Sequence, residues 1–146
     1  MEHEAIFYLI YSSQEGKIFT DFDIKELLNQ SRTFNMENNI TGILLYVQGK
    51  KIGNTVGRFM QLIEGGEKVV AELYKRIEQD KRHHNVTLLQ VGRYKNRSFP
   101  NWTMGFEQSD ENNYAHFSAH FNLRNALVDC KPFSSKAPLE FLQRFA

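Results

Sequence analysis

Apolar residues first cluster at Ile6–Ser12 (IFYLIYS), a short run rich in aromatics and isoleucine with polar residues after it. Such a run predicts a strand, and its alternation puts Phe7, Leu9 and Tyr11 on one face. The period then changes. Ile24, Leu27, Leu28 and Ser31 recur at helical spacing, which predicts an amphipathic helix starting at Asp21 or Asp23. Asn35 lies about three turns beyond Ile24 and shares its inward stripe. Ile43–Val47 (ILLYV) is almost continuously apolar, as in a central strand. Gln48 to Gly57, with glycines at 49, 53 and 57, predicts a turn or hairpin excursion. Arg58–Glu64 (RFMQLIE) predicts the next strand, with Phe59, Gln61 and Ile63 on one face and Gly65-Gly66 ending it. A second helix follows from Glu67 to Asp80, its stripe formed by Val70, Leu73, Tyr74 and Ile77. Lys81 to Asn85 reads as a basic turn and Val86–Gly92 as a strand. After a loop closed by Pro100, Trp102–Phe106 (WTMGF) predicts a last short strand with Trp102, Met104 and Phe106 on one face.

The order β-α-β-β-α-β-β predicts an α+β fold, a ferredoxin-like mixed sheet with two helices on one face. Strands flanking each helix are expected to lie parallel, joined by right-handed crossovers. Past Glu111 the pattern weakens, and Leu123–Val128 and Leu139–Phe145 read as short C-terminal helices expected on the open sheet face. This divides the chain into a domain at 1–110 and a helical extension at 111–146.

Length and composition narrow the classes. A chain of 146 residues with 41% hydrophobic residues suits one globular domain. The net charge of +1 does not indicate a nucleic-acid surface. Cys130 is the one cysteine, so no internal disulfide forms, which favours a reducing compartment. The first residues, Met1-Glu2-His3-Glu4-Ala5, lack the layout of a secretion signal, and no apolar run has the length of a membrane span. A cytoplasmic location, with no membrane contact, is expected.

Three positions break the apolar pattern. Tyr11 ends an inward alternation, Asn35 lies on a buried helical stripe, and Gln61 is mid-strand between apolar neighbours. A buried polar group without a partner costs about 1–3 kcal/mol. Each one therefore has a partner, in another side chain, the backbone or a ligand. Taken singly, structural satisfaction is the common case. Taken together, three polar groups converging between sheet and helices suit a planar ligand with a mixed donor and acceptor edge. Arg76, Asp80, Arg82, His83 and His84 form a second cluster, which reads either as a solvated helix end or as a site where Arg76 and Asp80, at i and i+4, present a donor and an acceptor to the same ring edge. The adjacent histidines lack further ligands at metal-binding spacing, so no metal is expected. Trp102 and Met104 suit core packing whatever the function.

Read together, these segments resemble the BLUF family of FAD-binding blue-light sensors. The matching stretches are Leu9–Ser13, Ser31–Asn35 with Asn39–Gly42, Phe59–Gly65, Arg76–His83 and Phe99–Met104, all in the family's order across about residues 5 to 108. The resemblance implies FAD as cofactor. It implies that Tyr11 donates an electron and a proton to the excited flavin. Gln61 then bridges Tyr11 and the ring, and rearranges by rotation or tautomerism. By the same resemblance, Asn35 bonds the ring edge, Arg76, Asp80, Arg82 and His83 contact the flavin or its side chain, and Leu27, Ser31 and Phe59 line the slot. Trp102 and Met104 are implied as the signal relay. Phe34 departs from the polar residue of some members, and Gln48 to Gly57 is longer than the family's compact turn.

The expectation is thus a photoreceptor rather than an enzyme. The tail is too short for a catalytic output domain, which implies a separate downstream signalling protein; homo-oligomerisation stays open. The rival readings are a flavin redox enzyme and a non-photochemical flavin-binding or protein-interaction module. The first lacks a nicotinamide-binding glycine turn. The second leaves the joint presence of Tyr11 and Gln61 unexplained.

Overall fold

The computed structural model describes residues 5–15, 20–51, 54–109 and 137–143. The elements are β1 (Ile6–Glu15), α1 (Asp21–Glu37), β2 (Thr41–Lys51), β3 (Asn54–Gly65), α2 (Glu67–Gln79), β4 (His83–Tyr94), β5 (Gly105–Ser109) and α3 (Ala137–Gln143). One five-stranded sheet is ordered β4-β1-β3-β2-β5. β1 pairs antiparallel with β3 and β4, β2 pairs antiparallel with β3, and β5 runs parallel to β2. The strands flanking each helix are therefore parallel with one strand between them, which is the α+β, ferredoxin-like arrangement predicted.

Strand alternation divides the core into two layers. Phe7, Leu9, Tyr11, Leu44, Phe59 and Ile63 pack with Ile24 and Leu28 of α1 and Val70 of α2. Tyr8, Ile10, Ile43, Leu45, Met60 and Leu62 pack on the other face with Phe99 and with Leu139 and Leu142 of α3. Both long helices thus share one face, and α3 covers part of the other. The sequence segment Leu123–Val128 lies outside the described residues, as do Cys130 and residues 144–146.

Local chemistry fixes the ends of α1. The helix starts at Asp21, one of the two starts expected, and is capped by Thr20: the Thr20 hydroxyl accepts from the Asp23 amide, and the Asp23 carboxylate accepts from the Thr20 amide. This reciprocal pair satisfies two free donors of the first turn. At the other end Asn39 adopts φ 55, a left-handed conformation that asparagine tolerates and that turns the chain into β2.

Gln48 to Gly57 forms the hairpin excursion of the two readings: pairing continues to Lys51↔Asn54, so β2 and β3 extend past the core as a two-stranded ribbon. Two predicted elements are corrected. The supposed basic turn at Lys81 to Asn85 is shorter, because His83 and His84 already pair with Glu15 and Gln14. The last strand starts at Gly105, not Trp102. Trp102 stacks on Phe99, with ring centroids 5.4 Å apart, whereas Met104 is buried in the helix-side layer. The two residues therefore do not share a face. The Trp102 ring lies where a side chain on Gly105 would be, 2.2 Å from an ideal Cβ, which requires glycine at that position.

Candidate functional site

The inward stripes of the helices do not all reach the sheet. Ile24, Leu28 and Val70 are buried on it, but Leu27, Ser31, Leu73 and Ile77 are only half-buried. These half-buried residues face one another across a cavity of about 400 Å³ between α1, α2 and the sheet. That is the size range of a small-molecule site.

Its floor is polar at one point. Tyr11 and Gln61 are opposite one another in the β1–β3 register, with Leu44 beyond Gln61 on β2. The Tyr11 hydroxyl donates to Gln61 Oε1. The other end of the same amide, Gln61 Nε2, reaches Met104 Sδ at 3.3 Å. The amide is thereby held between a donor on one strand and a sulfur on the segment leading into β5. Burial, then the nearby Asp80 carboxylate and Tyr74, pushes the Tyr11 phenol far above its usual pKa, with Arg82 opposing. Tyr11 is a neutral hydrogen-bond donor across the physiological range.

Asn35 enters from α1. Its Nδ2 donates to the Thr103 carbonyl at 2.6 Å, while its Oδ1 is buried without a hydrogen-bond partner. An unsatisfied buried acceptor in a cavity wall is uncommon and marks a place for a donor.

The mouth carries the charged residues. Arg82 grips Asp80 through Nε and Nη2 and extends Nη1 to Gln30 Oε1 on α1. Burial works to raise the Asp80 pKa, but the Arg82 hydrogen bonds outweigh it and hold the carboxyl below its ordinary value. Arg76 lies over the Phe34 ring at 4.7 Å. Arg76 and Asp80 therefore do not present side by side as helical spacing suggested. α2 ends at Gln79, so Asp80 has left the helix, and the planar guanidinium of Arg82 takes both its oxygens. His83 is fully engaged by protein, its Nε2 on the Ile77 carbonyl at 2.5 Å and its Nδ1 on the Ser13 hydroxyl at 2.8 Å. The carbonyl can only accept, so Nε2 carries a proton. Among the described residues no group of His, Cys, Asp and Glu converges as a metal site, and no helix is long and apolar enough to cross a membrane.

All ten residues singled out for ligand contact line this one cavity: Tyr11, Leu27, Ser31, Asn35, Phe59, Gln61, Arg76, Asp80, Arg82 and His83. Met104 adjoins it through Gln61, and Trp102 is outside it. Sequence reasoning missed Gln30, Leu44 and Gln79 as lining residues. Leu73 and Ile77 also line it, and their places on the α2 stripe are the available signal.

Residues 6–105 match the family model of BLUF, described as sensors of blue-light using FAD. The photoactivated adenylate cyclase subunit beta of Euglena gracilis is 33% identical over 97 residues, which is 66% of this chain and 10% of that protein. The chain thus spans about a tenth of the length of that curated relative. The dark-state structure of the BLUF protein BlrB superposes with a TM-score of 0.71 at 25% identity, covering 98% of this chain and 96% of that one. The photo-activated state of BlsA gives a TM-score of 0.69 at 27% identity, covering 95% and 92%.

Proposed function

The chain belongs to the BLUF family of blue-light sensors that use FAD, and from that premise we propose that its cavity is the flavin site and that Tyr11 and Gln61 form its light switch. The observation that carries this reading is the buried hydrogen bond from Tyr11 to Gln61 Oε1 on the cavity floor. A phenol and an amide are opposed there, among the apolar side chains of Leu9, Leu44, Phe59 and Ile63.

The donor set fits the ring. The free Asn35 Oδ1 is an acceptor suited to a ring N–H. Leu27, Phe59, Leu73 and Ile77 supply apolar walls, Arg76 and Arg82 supply donors at the mouth, and Ser31, Asp80 and His83 stand at the rim. When bound, FAD supplies the blue-light absorption and an excited ring oxidising enough to take an electron from a phenol.

The chain's own part is brief. Tyr11 gives up an electron and the proton of its hydroxyl, then recovers both. Gln61 is the group that ends in a new arrangement, because both ends of its amide are engaged and reversing them exchanges donor for acceptor on each side. In a low-dielectric layer such an exchange leaves mismatched partners at Tyr11 and Met104, and the mismatch has an energetic cost. That cost biases the segment carrying Met104 toward a second position, so the output is a population shift rather than a turnover. We assign the receiver to a separate signalling protein. The test is the absorption spectrum of the FAD-loaded chain in the dark and after blue light. A reversible red shift is expected; bound flavin without any shift would favour a non-photochemical flavin-binding module.

A further inference from the structure

Glu64 is a charged residue with 0% exposure, on the sheet face opposite the cavity. Among the described residues it forms no ion pair, and its carboxylate is satisfied by four donors. Oε1 accepts from the Tyr94 hydroxyl and from the Ser98 amide at 2.8 Å. Oε2 accepts from the Thr41 hydroxyl at 2.7 Å and the Phe99 amide at 2.9 Å. Arg97 backs this set, donating to Thr41 Oγ1, the Glu64 carbonyl and the Asn39 carbonyl. A buried carboxylate is costly unless its oxygens are hydrogen-bonded, and here both oxygens are bonded by groups from the chain around them.

What it organises is the start of segment 98–104. Two consecutive backbone amides, of Ser98 and Phe99, are tied to one carboxylate, and the Phe99 side chain is buried against the core of that face. The segment then returns to the sheet at Trp102, whose carbonyl accepts from the Gly42 amide at 3.0 Å. Its far end meets the site twice and α1 once more beside it. Thr103 O accepts from Asn35, Met104 Sδ contacts Gln61 Nε2, and Met104 O accepts from Arg32 Nε on α1 at 3.1 Å. The near end meets α3, where Gln143 Nε2 donates to Ser98 Oγ at 3.1 Å.

We propose that Glu64 is a positioning residue for the light site: by clamping the Ser98 and Phe99 amides it sets where Thr103 and Met104 stand against Asn35 and Gln61. Glu64 does not line the cavity. The proposal builds on the reading of the cavity given above, and its test separates the two.

The experiment uses the full chain, isotope-labelled with nitrogen-15 and loaded with FAD, as wild type, Glu64→Gln and Tyr94→Phe. Glu64→Gln keeps the shape but replaces one acceptor oxygen by a donor, so one of the two amides loses its partner. The first readout is the side-chain amide signals of Gln61 and Asn35 in the dark, assigned by their disappearance in Gln61→Leu and Asn35→Ala. Both signals are expected to shift in Glu64→Gln and to stay in place in Tyr94→Phe, which leaves the Ser98 and Phe99 bonds intact. The second is the thermal recovery after blue light, expected to change roughly five- to tenfold in Glu64→Gln alone. A folded Glu64→Gln protein, by its far-ultraviolet circular dichroism, with both amide signals at wild-type positions overturns the proposal. If Glu64→Gln does not fold, Ser98→Pro removes one clamped amide and is read in the same way. A wild type without a light-induced shift would refute the photochemical reading, while the dark amide signals would still decide the role of Glu64.

Discussion

Tyr11 and Gln61 face each other in register across β1 and β3, and the Tyr11 hydroxyl donates to the Gln61 side-chain oxygen inside the helix-side core layer. Neither group can be altered without leaving the other unmatched. Gln61→Leu should leave the Tyr11 hydroxyl buried without an acceptor, which costs about 1–3 kcal/mol. The midpoint of urea unfolding of the flavin-free chain should fall accordingly. The loaded variant should keep flavin absorption and show no shift in blue light.

Met104 tests the other end of the amide. Leucine has nearly the volume of methionine, so Met104→Leu should cost less than about 1.5 kcal/mol in stability. It removes the sulfur that faces Gln61 Nε2 at 3.3 Å. Dark recovery after a blue flash, followed by absorption, should therefore change several-fold while the fold is kept. Trp102→Phe should leave recovery closer to wild type, because Trp102 packs on Phe99 outside the cavity.

Asn35 has one amide end satisfied by Thr103 and one free in the cavity. Asn35→Ala removes the free acceptor together with the link to the segment before β5. Titration of the flavin-free protein with FAD, read by fluorescence quenching, should show binding weakened by about tenfold or more. An unchanged affinity would mean that the free oxygen does not meet the ligand.

The mouth of the cavity carries a pH dependence. The Asp80 carboxyl is held below its ordinary pKa in the folded chain because the Arg82 bonds outweigh burial. A group depressed on folding stabilises above its unfolded pKa, about 3.9 for aspartate, and loses that contribution as pH falls through the folded value. Wild type should exceed Asp80→Asn in urea midpoint near pH 6, and the gap should narrow as pH falls below about 4. Both side chains are partly exposed, at 37% and 27%, so the gap should be modest and should shrink in high salt.

The cavity floor was legible in the sequence because its polar residues occupy positions that periodicity reserves for apolar ones. Tyr11, Asn35 and Gln61 each interrupt a stripe or an alternation. The walls were less so: a helical stripe identifies the inward side of α1 or α2 but not where the two stripes part, so Leu73 and Ile77 looked like ordinary core. Trp102–Phe106 alternates as a strand does, yet ladder bonds to β2 begin only at Gly105. The preceding residues are held by the Phe99 and Gly42 backbone instead. Glu64 looked like the polar end of a strand because the donors that bury it arrive from residues 94–99, remote in sequence. Asp80 continues the polar pattern of α2 in the sequence, whereas in the fold it caps the helix in extended conformation and binds Arg82, two residues on.

The measurement closest to the central claim is the light-minus-dark absorption of FAD-loaded Tyr11→Phe beside wild type. The ring remains to fill the floor of the cavity, so flavin should stay bound, but the hydroxyl that donates to Gln61 is gone. The account predicts a reversible red shift in wild type and none in Tyr11→Phe. A red shift of wild-type size and lifetime in Tyr11→Phe would contradict it.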